Sequence, residues 1–173
     1  MIDVRKTMMK FKKKIRNIKD FPQKGIVFRD IAPLLEDKGS LKLAIDEILV
    51  KIGGVKIDKV VGIDARGFIL AGILAERLEA GMVMIRKKGK LPFETESMEY
   101  DLEYGKAVLE IHRDSIKKKE KVLLVDDVLA TGGTMSAAVK LVEKLGGIVQ
   151  GIVFLIILDY LPGRKKLENY NLI

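Results

Sequence analysis

The 173-residue sequence contains no cysteine, which excludes disulfide scaffolds and thiolate metal sites and makes an intracellular compartment the simplest setting. Histidine occurs once, as His112. With no partner set nearby for a metal or a triad, it reads as a surface or packed strand residue. Aromatic residues make up only 6% of the chain and are not interleaved with the lysine runs, as a single-strand binder would need. No apolar stretch approaches the roughly 20 residues of a membrane span. The basic start MIDVRKTMMKFKKKIRNIKDF also lacks the apolar core of a signal peptide. Internal repeats, low-complexity tracts and Pro/Ser-rich linkers are missing too. These absences predict one cytoplasmic domain spanning residues 1–173, with no membrane and no nucleic-acid partner.

What is present is a 48% hydrophobic chain with a formal charge of +8. That is enough apolar material for one core, with a positive field that attracts polyanions, small polyphosphates included. Much of the charge sits at Lys10 to Lys14 and Lys117 to Lys121, runs that read as solvated faces or turns. Continuous Val/Ile-rich segments at Val60 to Ile63, Met82 to Ile85, Val122 to Val125 and Ile148 to Leu158 suit strands buried on both faces. Helical spacing separates them: Leu41, Ala44, Ile45, Ile48, Leu49 and Ile52; then Phe68 to Leu78; then Ser136 to Leu145, stopped by Gly146 and Gly147. The alternation predicts an α/β, doubly wound, mostly parallel twisted sheet flanked by helices.

Three of those strands run into polar clusters: Asp64-Ala65-Arg66-Gly67, Arg86-Lys87-Lys88-Gly89-Lys90, and Asp126-Asp127. Ligands of open α/β sheets bind beyond the carboxyl ends of the strands, so the three clusters are expected to meet in one crevice. In the segment KVLLVDDVLATGGT (Lys121 to Thr134), Ala130, Thr131, Gly132, Gly133 and Thr134 form a small loop entering a helix. Its backbone N–H groups and hydroxyls suit a phosphate. It is neither a Walker A loop nor GxGxxG. Asp126 and Asp127 would repel that phosphate, so beside it they are expected to accept hydrogen bonds from hydroxyls, a ribose diol for instance, or to help hold a metal. Arg66 supplies a permanently charged guanidinium fork suited to phosphate oxygens. Gly89 to Asp101 reads as a long loop of weak periodicity, which in a compact domain is usually functional or disordered.

The stretch VLLVDDVLATGGT resembles the phosphoribosyl pyrophosphate signature of the type I phosphoribosyltransferases. Three further stretches are similar to the adenine branch of that family: DFPQKGIVFRDIAPLL at Asp20 to Leu35, GIDARGF at Gly62 to Phe68, and IRKKGKLPFETESMEYDLEYG at Ile85 to Gly105. The resemblance runs in family order from about Ile15 to about Leu167. It implies that fold, with a flexible lid loop and a small N-terminal hood region, and transfer of a phosphoribosyl group from its pyrophosphate donor to adenine, giving AMP and pyrophosphate. It further implies that Ala65, Arg66, Gly67, Arg86, Lys87 and Lys90 bind pyrophosphate, and that Val27, Phe28 and Arg29 build the adenine pocket with Phe28 stacking on the ring. Glu103 then takes part in proton traffic with the purine, Tyr104 belongs to the lid, Mg²⁺ arrives with the donor rather than in a protein cage, and the protein is a homodimer. The rival readings are a transferase for another base, a regulatory sensor of the donor, and an inactive relative.

Three features depart from the family pattern. Phe93 stands in KLPFET where relatives often carry glycine, which predicts a stiffer or repositioned loop. FLIILDYL lacks an acid expected near Ile157, which predicts a missing polar contact there. The net charge is also higher than the family leads one to expect.

Overall fold

The computed structural model describes residues 13–101 and 105–173. These fall into two compact units, one ending at Val50 and the other spanning Lys51–Ile173. In the first, β1 (Arg16–Lys19) and β2 (Val27–Asp30) form an antiparallel hairpin, followed by α1 (Ala32–Glu36) and all but the last two residues of α2 (Lys38–Ile52). Asp37 organises the start of α2 by accepting the Ser40 N–H at 2.7 Å and pairing with Lys14 at 3.1 Å. The Ser40 contacts come first among the causes that lower its pKa to about 2.

The second unit contains β3 (Lys59–Ile63), α3 (Gly67–Arg77), β4 (Gly81–Lys87), β5 (Thr95–Asp101), β6 (Lys106–His112), β7 (Lys121–Leu129), α4 (Gly133–Lys144), β8 (Ile148–Ile157) and α5 (Gly163–Lys166). Its six-stranded sheet has the order β5-β6-β4-β3-β7-β8. β4, β3, β7 and β8 run parallel, as the unbroken apolar runs require, while β6 and β5 add an antiparallel hairpin at one edge.

Period 2 along β3 sorts the two faces of the sheet. Val61 and Ile63 join the core cluster that includes Met135, Ala138, Leu141 and Val142 of α4. Gly62 turns to the other face, where a Cβ would stand 2.7 Å from Ala71 of α3. The two helices thus cover opposite faces. Fully buried side chains such as Ile85, Leu124 and Leu141 each contribute about 1.5–3 kcal/mol by leaving water. α4 stops where predicted: Gly146 takes φ +89° and the N–H groups of Gly146 and Gly147 return to Glu143 and Val142 carbonyls.

Two expectations need correction. The long loop predicted over Gly89 to Asp101 is confined to residues 88–94, and Thr95–Asp101 is β5, paired along its length with β6. Its alternation is real, with Met98 and Tyr100 packing on the core, but Thr95, Ser97, Glu99 and Asp101 at the alternate positions, and Glu96 on the inner face, weaken the apolar signal. Asp126 and Asp127 do not follow a strand; they lie inside β7, which continues to Leu129 because Asp126, Val128 and Leu129 pair with Phe154, Ile156 and Ile157 of β8.

Candidate functional site

β7 delivers its chain into the loop Ala130-Thr131-Gly132 and then into α4. Gly132 is the N-cap with φ +80°, and a Cβ there would stand 2.9 Å from Gly163 Cα. Both the left-handed backbone and the close approach of α5 therefore demand glycine. The first N–H groups of α4 have no carbonyl partners within the helix and point out of its positive end. Asp126, Val128, Leu129, Ala130, Thr131, Gly132, Thr134, Met135 and Phe154 line a pocket of about 80 Å³. A drug-sized ligand needs roughly 300–1,000 Å³, so this pocket is sized for one small group.

The two acids of β7 diverge in use. Asp127 is buried and accepts a hydrogen bond from Arg66 Nε, while Asp126 is among the residues lining the pocket and its Oδ1 accepts the Asp127 N–H at 2.9 Å. Burial, then the neighbouring Asp127 charge, pushes the Asp126 pKa up to about 8. Gly67 makes this packing possible, since a Cβ there would lie 2.9 Å from the Val125 carbonyl and 3.0 Å from Asp126 Oδ1. Beside it, Asp64 Oδ2 accepts Arg86 Nε at 3.2 Å and stands 4.0 Å from Lys90 Nζ. The three clusters therefore meet, though Asp126 and Asp127 do so from within β7 and Arg86 from within β4: each arginine rests on an acid of the neighbouring strand or of the turn after it. The arrangement offers an anion cradle, a carboxyl that holds its proton near neutrality, and cations held ready at the rim.

A Phosphoribosyl transferase domain model matches residues 35–170. The adenine phosphoribosyltransferase of Geobacter metallireducens is 58% identical over 162 residues, covering 94% of this chain and 95% of that protein. The crystal structure of adenine phosphoribosyltransferase from Thermoanaerobacter pseudethanolicus superposes with a TM-score of 0.93 at 49% identity, covering 96% of both chains. The chain belongs to the adenine phosphoribosyltransferase family. A Saccharomyces cerevisiae member, complexed with an imino-altritol bisphosphate and adenine, also reaches a TM-score of 0.93, at 36% identity and 98% coverage of both chains.

Against this family background, the individual residues fall as follows. Ala65 follows a cis peptide bond from Asp64, and with Arg66 and Gly67 it forms the β3–α3 turn. Lys87 and Lys90 are exposed at the end of β4 and in the turn after it. Val27, Phe28 and Arg29 sit together on β2 of the first unit, where the Phe28 ring meets Phe21 edge-on at 5.2 Å and Arg29 donates to Asn17. Glu103 and Tyr104 lie outside the described residues. Phe93 is tethered, its ring 6.2 Å from His112 in an edge-to-face contact. The site of the expected acid is apolar: Ile157 pairs with Leu129 and packs on the core. The sequence reading missed Asp64 as the rest for Arg86, Phe154 and Met135 as pocket walls, and Gly163 as the backing of the loop. Asp64 was within reach, standing inside the quoted GIDARGF; the others depend on pairings that no local spacing reveals.

Proposed function

We propose that this chain transfers the 5-phosphoribosyl group of its pyrophosphate donor to adenine. The C1–oxygen bond to pyrophosphate breaks, the C1–N9 bond forms, and the N9 proton leaves through a carboxylate to solvent. The observation that carries the proposal is the pairing of an acid-bearing strand end with a glycine-capped anion cradle on one strand–loop–helix unit. In this reading Ala130, Thr131, Gly132, Gly133 and Thr134 take the 5-phosphate on backbone N–H groups and hydroxyls. The Asp126 and Asp127 carboxyls hold the ribose hydroxyls, Asp126 bringing a proton of its own to share.

Ala65, Arg66, Gly67, Arg86, Lys87 and Lys90 receive the pyrophosphate. Arg66 and Arg86 would exchange their acid partners for phosphate oxygens, a guanidinium's preferred bidentate acceptors. Adenine is assigned to Val27, Phe28 and Arg29, and proton traffic to Glu103, with Tyr104 on the adjoining segment. Among the described residues no cluster of three or more acidic, histidine or cysteine side chains could cage a metal. An Mg²⁺ would therefore come with the phosphoribosyl donor and take its oxygen ligands from substrate and water. Such an ion would supply neutralisation of the departing pyrophosphate.

A homodimer completes the reading. Met82 and Met84, on an interior strand of the sheet, are 40% and 43% exposed, and Ile69 of α3 is 45% exposed. An uncovered apolar face of this kind marks an interaction surface. Among the described residues, no helix is long and apolar enough to cross a membrane.

The test is AMP formation by the purified protein with phosphoribosyl pyrophosphate, Mg²⁺ and adenine, with hypoxanthine, guanine and xanthine in parallel reactions. Nucleotide formation with adenine far above the other three is expected. No turnover with adenine, or faster turnover with another base, contradicts the proposal.

A further inference from the structure

Asp127 and Glu110 are the least exposed acids among the described residues. Asp127 belongs to the site already described. Glu110 belongs to no part of the proposed chemistry, yet it is 8% exposed, and a buried carboxylate is costly unless it is hydrogen-bonded or paired. It lies on β6 opposite Arg86 of β4 and Ser97 of β5. Directly opposed residues share a sheet face, so Glu110 and Arg86 project side by side.

Both side chains reach into the same turn. Glu110 Oε2 accepts the Gly89 N–H at 2.9 Å, and Arg86 Nη1 donates to the Lys90 carbonyl at 3.3 Å. The Lys88 N–H is held by the Val108 carbonyl at 3.0 Å. Three consecutive backbone positions are thus fixed in a turn that Arg86, Lys87, Lys88 and Lys90 load with positive charge. These cations repel one another, and among the described residues only Glu110 brings a buried carboxylate to the turn's backbone. Gly89 takes φ +79° with open space around it. No neighbour crowds its Cβ position, and the hydrogen bond to Glu110 anchors its backbone.

We propose that Glu110 is a positioning residue for pyrophosphate, acting through the Gly89 N–H to present Arg86, Lys87 and Lys90 to the ligand. This rests on the assignment of those three residues to pyrophosphate above. The active feature is reach: the carboxyl must extend far enough from β6 to hold Gly89, and an acceptor oxygen at that distance suffices.

The pair E110D and E110Q separates reach from charge, since aspartate keeps the charge and loses one methylene, whereas glutamine keeps the length and an acceptor oxygen. The measurement is calorimetric binding of pyrophosphate in the presence of Mg²⁺ to the full chain, alongside KM values for both substrates and melting curves. E110D is expected to bind pyrophosphate about tenfold more weakly, the effect of losing one hydrogen bond. Its KM for the phosphoribosyl donor should rise and its KM for adenine stay put, with E110Q within about threefold of the parent on every count. Pyrophosphate affinity unchanged in E110D overturns the proposal. So does a melting temperature that falls together with both KM values, which would make Glu110 a general core residue. If the parent chain makes no AMP but E110D still weakens pyrophosphate binding, the positioning role stands and the transferase reading falls.

Discussion

An aspartate at each end of the parallel sheet shows how differently one residue type is used. At the amino end, Asp58 accepts the Lys121 N–H at 2.8 Å and pairs with Lys56 at 3.0 Å. The hydrogen bond from Lys121, then that from Lys56, holds its pKa below the ordinary value. At the carboxyl end, Asp126 is crowded into β7 beside Asp127, and burial pushes it up to about 8. One end is chemically satisfied and ties β3 to β7. The other keeps a proton that the unfolded chain would release, and a native structure tolerates such local discord where function needs it.

The largest expected effect comes from the loop. Gly132→Ala forces a side chain into a left-handed backbone 2.9 Å from Gly163 Cα, displacing the cradle from α5. Steady-state AMP formation should fall by a factor of about 100, since an ångström of misplacement is enough for that loss, while circular dichroism shows the sheet intact. Retained activity would show that the loop does not need its exact backbone path.

Asp126→Asn should stabilise the free protein. The native state keeps the Asp126 proton up to about pH 8, whereas the unfolded chain releases it near the ordinary carboxyl value. Between those limits the native state binds the extra proton, so its stability falls as pH rises. The asparagine variant escapes that loss, and melting curves between pH 5 and 9 should show a lead over the parent that widens towards pH 8 and reaches on the order of 1–3 kcal/mol. A constant gap across the range would contradict the assigned shift.

Asp58→Ala works the other way. Its lowered pKa contributes stability that is present above the ordinary carboxyl value and is lost as pH falls through the folded-state value. The variant should melt a few degrees lower at pH 7, the gap closing in strong acid, with AMP formation unaltered. The smallest effect is expected from Phe93→Gly. Removing the edge contact with His112 should cost less than about 1 kcal/mol and show as a modest rise in KM for the phosphoribosyl donor.

The parts of the molecule that were legible in the sequence are those whose residues adjoin one another. The acid pair, loop and helix of Asp126 to Lys144 are one continuous segment, and the Val/Ile runs announced β3, β4, β7 and β8 because burial on both faces leaves no polar alternation. The β5–β6 hairpin was missed because its outward positions are Glu, Ser and Thr. Pairings such as Arg66 with Asp127, 61 residues apart, or Lys121 with Asp58, 63 apart, depend on strand order that no local spacing encodes. The division of labour between Asp126 and Asp127 was likewise invisible, because two adjacent identical letters acquire different surroundings only once β7 is paired. The solvated reading of Lys117, Lys118 and Lys119 is matched by their exposure in the turn before β7.

The most direct test sets the two ends of the sheet against each other: kcat/KM for AMP formation by D126N and by D58N, each with its melting temperature in the same buffer at pH 8. The account predicts that D126N is the more stable protein and loses activity by at least about 100-fold, while D58N is less stable and keeps the parent's activity. Comparable activity in the two variants would contradict the placement of the chemistry at the carboxyl end of β7.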